Sequence, residues 1–105
     1  MVMYRLKKYK VKILPKARED MAEIMEYLNC LPPQPALGYY DLLTQKICGL
    51  CLVPQRYALI KDKQLGFGGY RCMPVDSYMV FYVILGDIVQ VRRILFCKPQ
   101  YNSLL

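Results

Sequence analysis

Three apolar segments late in the chain are separated by only two residues each time, and this spacing restricts the fold more than any other feature. They are residues 70–75, 78–85 and 88–96, with Asp76-Ser77 and Gly86-Asp87 between them. Gly-Asp is a hairpin pair because glycine takes positive φ without steric cost. Turns this short force neighbouring strands to run antiparallel, and they fix the register. Residues 78–85 are apolar nearly throughout, as a central strand covered on both faces is. Pro74 has no N–H to give a ladder, so its strand is expected at a free edge or a bulge.

The register predicts pairs. Val75 opposite Tyr78 gives Met73 with Val80 and Arg71 with Tyr82. Leu85 opposite Ile88 gives Tyr82 with Val91 and Val80 with Arg93. One face then carries Cys72, Pro74, Met79, Phe81, Val83, Leu85, Ile94 and Phe96, and is expected against the helices, with Arg92 an exception at its margin. The other face carries Arg71, Met73, Tyr78, Val80, Tyr82, Val91 and Arg93, a mixture suited to binding. Arg71 and Arg93 would lie roughly 12 Å apart, near enough to converge on one phosphate. The plainer reading is that each covers aliphatic surface and stays solvated. A bulge near Arg92 and Arg93 would exchange their faces.

The earlier half supplies one strand and two helices. Residues 9–14 alternate, with Val11 and Ile13 against Lys10 and Lys12, as a half-buried strand does. Pro15 ends the strand and suits the first turn of a helix. Ala17, Met21, Ile24 and Leu28 then form one helical stripe, with Glu19, Asp20, Glu23 and Glu26 on the opposite face. Asn29 and Pro32-Pro33 stop this helix. Pro32-Pro33-Gln34-Pro35 resembles a polyproline ligand in composition, but between two helical patterns it reads as a stiff turn. A second helix over about residues 36–53 presents Tyr40, Leu43, Ile47 and Leu50, widened by Leu42, Cys48 and Cys51. Residues 54–69 read as a loop whose Gly66-Phe67-Gly68-Gly69 enters the next strand. That cluster lacks the context of a phosphate or dinucleotide loop. The order β-α-α-β-β-β predicts a single α+β domain over residues 1–105, with a helical hairpin on a mostly antiparallel four-stranded sheet.

Charge and composition narrow the function. The net charge is +7 over 105 residues, which points to a polyanionic or acidic partner. Residues 1–18 hold seven basic residues and no acid, residues 19–87 are net −3, and residues 88–105 add Arg92, Arg93 and Lys98. The absence of histidine removes Ser/His and Cys/His nucleophilic pairs. No apolar run reaches the roughly 20 residues of a membrane helix, and the basic start has no signal-peptide pattern. Five cysteines without such a signal fit a reducing cytoplasm, with the thiols packed as small apolar groups. Cys48-x-x-Cys51 lacks the second pair that a zinc site wants.

Several stretches together resemble a RelE/ParE-family toxin of a bacterial type II toxin–antitoxin module. The opening YKVKILPKAREDMAEIMEYL is similar to the family's first strand and helix. GGYRCMPVDSYMVFYVI resembles its Gly-Tyr-Arg strand, turn and apolar strand. VRRILFCKPQYNSLL resembles its last strand and tail. The family includes ribosome-dependent mRNA endonucleases and gyrase inhibitors. By resemblance to the nucleases, Lys61 and Lys63, Arg71, Lys98 and Tyr101 would form the site. Phe96, Cys97, Pro99 and Gln100 depart from the frequent His, Gly, Arg and Asp of the tail, and Arg93 is the nearest substitute for the arginine missing at Pro99.

For a nuclease, the resemblance implies attack of the ribose 2′-OH on the adjacent phosphate in the ribosomal A site, with no metal or cofactor. Arg71 and Arg93 would stabilise phosphoryl charge. Lys61 or Lys63 would be the base, its pKa lowered by clustered like charge. Tyr101 would donate a proton or stack on a base. Lys7, Lys8, Lys10, Lys12 and Tyr82 would hold RNA. The alternatives are a non-enzymatic inhibitor of DNA gyrase and a degenerate member that binds only its antitoxin. The toxin readings imply an acidic antitoxin that covers Arg71.

Overall fold

The computed structural model describes residues 8–30, 33–60 and 68–96, without the side chains of 33–37. The elements run β1 (Lys10–Ile13), α1 (Pro15–Leu28), α2 (Pro33–Cys48), two short 3-10 turns (Gly49–Cys51 and Pro54–Arg56), β2 (Arg71–Val75), β3 (Tyr78–Leu85) and β4 (Ile88–Phe96). The sheet order is β1-β4-β3-β2, with β1 parallel to β4 and the other pairs antiparallel. The fold is therefore α+β, two helices with a four-stranded mixed sheet.

Local chemistry accounts for most boundaries. Pro15 occupies the first turn of α1, where its missing N–H costs nothing. The second helix begins at Pro33, earlier than the periodicity predicts, because prolines are tolerated in a first turn. It ends at Cys48 rather than continuing to residue 53, giving way to the 3-10 turn at Gly49. Val53 then takes a left-handed φ of 44° ahead of Pro54. Both hairpin turns carry positive φ, at Asp76 (53°) and Gly86 (62°). Pro74 is exposed on β2, an edge strand of the sheet, where its lack of an N–H is harmless.

The core lies between the helices and one sheet face. Ala17, Ile24 and Leu28 of α1 join Leu43, Ile47 and Leu50 against Met73, Val75, Val80, Tyr82, Val89, Val91 and Ile94. Tyr40 and Met21 pack beside them, half-buried. Leu42 and Cys48 are exposed, so the second helical stripe is narrower than expected. The thiols are not uniformly packed inside either: Cys30 is exposed too, and Cys51 and Cys72 are half-buried.

The predicted sheet faces are inverted. Met73, Val80, Tyr82 and Val91 face the helices, whereas Cys72, Pro74 and Met79 do not enter that core. The strand β3 is apolar on both sides and gives no discrimination, and Phe81 and Val83 are buried as well. The predicted pairs hold from Arg71–Tyr82 to Val75–Tyr78 and from Leu85–Ile88 to Tyr82–Val91. Beyond them a bulge between Phe81 and Tyr82 shifts the register, so Phe81 pairs with Arg93 and Val80 with Ile94, not with Arg93. One extra residue on β4 thereby turns Ile94 into the core beside Val80.

Candidate functional site

The candidate residues separate into three environments. The first surrounds Arg71 at the start of β2. Ile60 donates its N–H to Tyr70 O at 2.9 Å, and Leu59 forms a bridge with Arg71, which brings residues 54–60 over this strand end. Arg71 Nη1 donates to Tyr57 O at 2.7 Å and to Gln55 O at 3.3 Å. Tyr82 Oη donates to Pro54 O at 2.6 Å. Three carbonyls of one turn are thus held by two side chains of adjacent strands. Burial pushes the Tyr82 hydroxyl up to about 12, against the opposing pull of the Arg71 cation. Tyr82 has no exposed surface, so it is a core residue and is not placed to hold RNA as expected of it.

The second environment is the bulge. Arg93 Nε donates to Asp20 Oδ2 at 2.7 Å and Arg93 Nη2 to Asp20 Oδ1 at 3.0 Å, a forked pair. Asp20 Oδ2 also accepts the Ile94 N–H at 3.0 Å. This carboxylate is buried, although α1 periodicity put it on the solvent face. The signal was present: Asp20 lies three residues after Ala17 and four before Ile24, both core residues. The Asp20 bond raises the Arg93 pKa, outweighing the effect of burial. The pair forms one wall of a cleft of about 530 Å³ between α1 and the ends of β3 and β4. Tyr27, Tyr78 and Phe96 supply its rings, with Tyr78 and Phe96 edge to face at 5.8 Å. Burial is the main cause that raises the Tyr78 pKa.

Arg92, the neighbour of Arg93, goes elsewhere. Its guanidinium carbon lies 5.5 Å from the centroid of the Tyr70 ring. It donates to Gln90 Oε1 at 3.2 Å and to Tyr70 Oη at 3.4 Å, while its buried Nε has no acceptor. The two adjacent arginines, expected on opposite faces, thus serve different partners, Arg93 the Asp20 carboxylate and Arg92 the Tyr70 ring.

The third environment is β1 and its approach. Lys8, Lys10 and Lys12 are all exposed. Lys7, Lys61, Lys63, Lys98 and Tyr101 lie outside the described residues. Of the positions named from the family's nuclease pattern, the structure therefore describes Arg71, together with Arg93, the substitute for the arginine missing at Pro99. Each spends its guanidinium on a partner within the domain, Arg71 on a backbone turn and Arg93 on a carboxylate. No helix among the described residues is long and apolar enough to cross a membrane.

The family model for the ParE toxin of the type II toxin–antitoxin system parDE matches residues 11–98. No curated protein matches the sequence. Among solved structures, the chromosomal ParDE toxin–antitoxin system from P. aeruginosa aligns with a TM-score of 0.71 at 19% identity, over 88% of this chain and 99% of that one. The RelBE2 toxin–antitoxin complex from Mycobacterium tuberculosis aligns with a TM-score of 0.57 at 19% identity, over 89% of this chain and 95% of that one. These likenesses carry the fold, and the family match spans both helices and all four strands save the first residue of β1. The chain belongs to the ParE toxin family and is the toxin of a type II toxin–antitoxin module.

Proposed function

We propose that this toxin acts without catalysis, by binding DNA gyrase, and that an acidic antitoxin holds it inactive. The observation that carries this reading is the commitment of both candidate arginines. A guanidinium forked onto a carboxylate has its charge compensated and is poorly placed to stabilise a phosphoryl transition state. Arg93 is in that condition, with Asp20 on two of its nitrogens. Arg71 donates to two carbonyls of the turn that it supports. The tyrosines with displaced pKa values, Tyr78 and Tyr82, are shifted upward, away from use as a base near neutrality.

The antitoxin reading rests on charge and shape. A net charge of +7 favours an acidic partner. The aromatic cleft of Tyr27, Tyr78 and Phe96 offers apolar surface that such a partner would cover, since Tyr27 and Phe96 are exposed. The deciding experiment is gyrase-catalysed supercoiling of a relaxed plasmid with the purified chain. Inhibition, relieved by the product of the adjacent antitoxin gene, is the expected result. Undisturbed supercoiling together with translation-dependent cleavage of a reporter mRNA would overturn it. In that case loss of cleavage on replacing Lys61, Lys63, Lys98 or Tyr101 would assign the site to the nuclease pattern.

A further inference from the structure

The exposed lysines of β1 and of the residues leading into it, Lys8, Lys10 and Lys12, are used by neither the core nor the two arginine environments. Lys8, Lys10 and Lys12 recur at every second residue of one extended stretch, so all three stand on the same side. Tyr9, Val11 and Ile13 take the other side and pack against the core. The stretch is held rigidly: Tyr9 N–H donates to Cys51 O, Lys10 N–H to Asp87 O and Leu14 N–H to Val91 O, each within 2.9 Å. Arg18, exposed, extends the row by donating from Nε to Ile13 O at 3.0 Å. The ion pairs among the described residues are Lys16–Glu19 and Arg93–Asp20, so the three lysines have no carboxylate partner there. At about 3.3 Å per residue the row of three spans about 13 Å.

We propose that the face formed by Lys8, ahead of β1, and by Lys10 and Lys12 of β1 binds the sugar–phosphate backbone of duplex DNA without regard to sequence. Charge complementarity argues for a polyanion, because three cations without a carboxylate partner among the described residues, on one hydrogen-bonded stretch, match a duplex carrying a charge about every 1.7 Å of its axis. The type of side chain argues for the backbone. Lysine is a point charge without the planar fork that reads base edges. Among the described residues of this stretch the one ring, Tyr9, packs against the core on the other side, which argues against single strands, since these are gripped by stacking on aromatic platforms. An edge strand also leaves the row open to a long, straight partner. Lysines on an edge strand discourage pairing with other sheets as well, and DNA binding adds a second use for the same residues. The contact does not depend on the gyrase reading.

The test is fluorescence anisotropy of a labelled mixed-sequence duplex of about 24 base pairs with the full chain, titrated at salt from about 50 to 200 mM. Gyrase is absent, so the outcome is independent of the supercoiling assay. Duplexes of scrambled sequence should bind equally. Replacing all three lysines (Lys8→Gln, Lys10→Gln, Lys12→Gln) should flatten the log–log salt slope by about 2.7, which is about a 40-fold smaller loss of affinity across that range. The Lys→Arg triple variant should keep the wild-type slope, and circular dichroism should show both variants folded. No binding at the lowest salt, or an unchanged slope in the glutamine variant, would overturn the proposal. So would tighter binding of single-stranded RNA or of a polyglutamate peptide, each of which assigns the face to another partner.

Discussion

Replacing Tyr82 by Phe removes a single oxygen from the most buried part of the domain, and its effect should reverse with pH. In the wild-type fold the hydroxyl donates to Pro54 O at 2.6 Å from a side chain with no exposed surface. Losing that donor costs about 1.5 kcal/mol near neutral pH, because the carbonyl keeps its desolvation penalty and loses its bond. Tyrosine in the unfolded chain ionises at about 10, whereas the folded residue is pushed up to about 12. The folded pKa is the higher one, so the contribution is fully present below about pH 10 and is lost as pH rises through 12, at about 1.4 kcal/mol per pH unit between them. The Phe variant has no such group to lose. Wild type should therefore be the more stable near neutrality, the two should meet near about pH 11, and the variant should lead beyond it. Urea unfolding followed by circular dichroism at a series of pH values measures this directly. Every other titrating group is common to both proteins, so their difference isolates Tyr82. A difference that stays constant with pH, or a variant as stable as wild type near neutrality, would refute the reasoning.

Asp20→Ala should cost about 3 kcal/mol, since it takes from the Arg93 guanidinium the carboxylate it forks onto and from the Ile94 N–H its acceptor. Thermal unfolding of the single variants Asp20→Ala and Arg93→Met and of the double variant will show it, with the double variant losing less than the sum. Val53→Asn should stabilise the domain by about 1 kcal/mol, because a β-branched residue is forced to a φ of 44° at an exposed position. Denaturant midpoints check this, and a lower midpoint would count against backbone strain there. Arg71→Ala should cost about 1–2 kcal/mol by releasing the carbonyls of Gln55 and Tyr57. Limited proteolysis should then cut first within residues 54–60, and an unchanged cleavage pattern would contradict the support assigned to Arg71.

Element order and most of the register were legible because two-residue turns and helical stripes are local signals. Gly86-Asp87 and Asp76-Ser77 specify their hairpins without reference to the rest of the molecule. Which side of the sheet would meet the helices was not legible, because Phe81 and Val83 on one side of β3 are as buried as Val80 and Tyr82 on the other. The sequence pattern puts Arg71 and Tyr82 on an outer face, yet both satisfy their polar ends on the turn of residues 54–57, with Tyr82 fully buried and Arg71 half-buried. The parallel neighbour of β4 follows from no local signal, since it joins distant parts of the chain. At the candidate site, the bulge was the missing information. Once one residue is added to β4, Arg93 turns to Asp20 and Arg92 to Tyr70, and only the carboxylate spaced between Ala17 and Ile24 hinted at the first of these.

The parallel pairing of β1 with β4 also sets a timetable. Lys10 lies against Ile88 across about 80 residues of intervening chain, a closure whose entropy must be met before the contact returns anything. The hairpins β2–β3 and β3–β4 lie next to one another in sequence and can form as soon as they are made. The first strand must wait, beside helices that have no sheet to cover, until β4 has emerged from the ribosome. Completion of the sheet thus waits on β4. A chain stopped before β4 would lose the central partner of β1 and β3 together, leaving fragments instead of a weaker toxin.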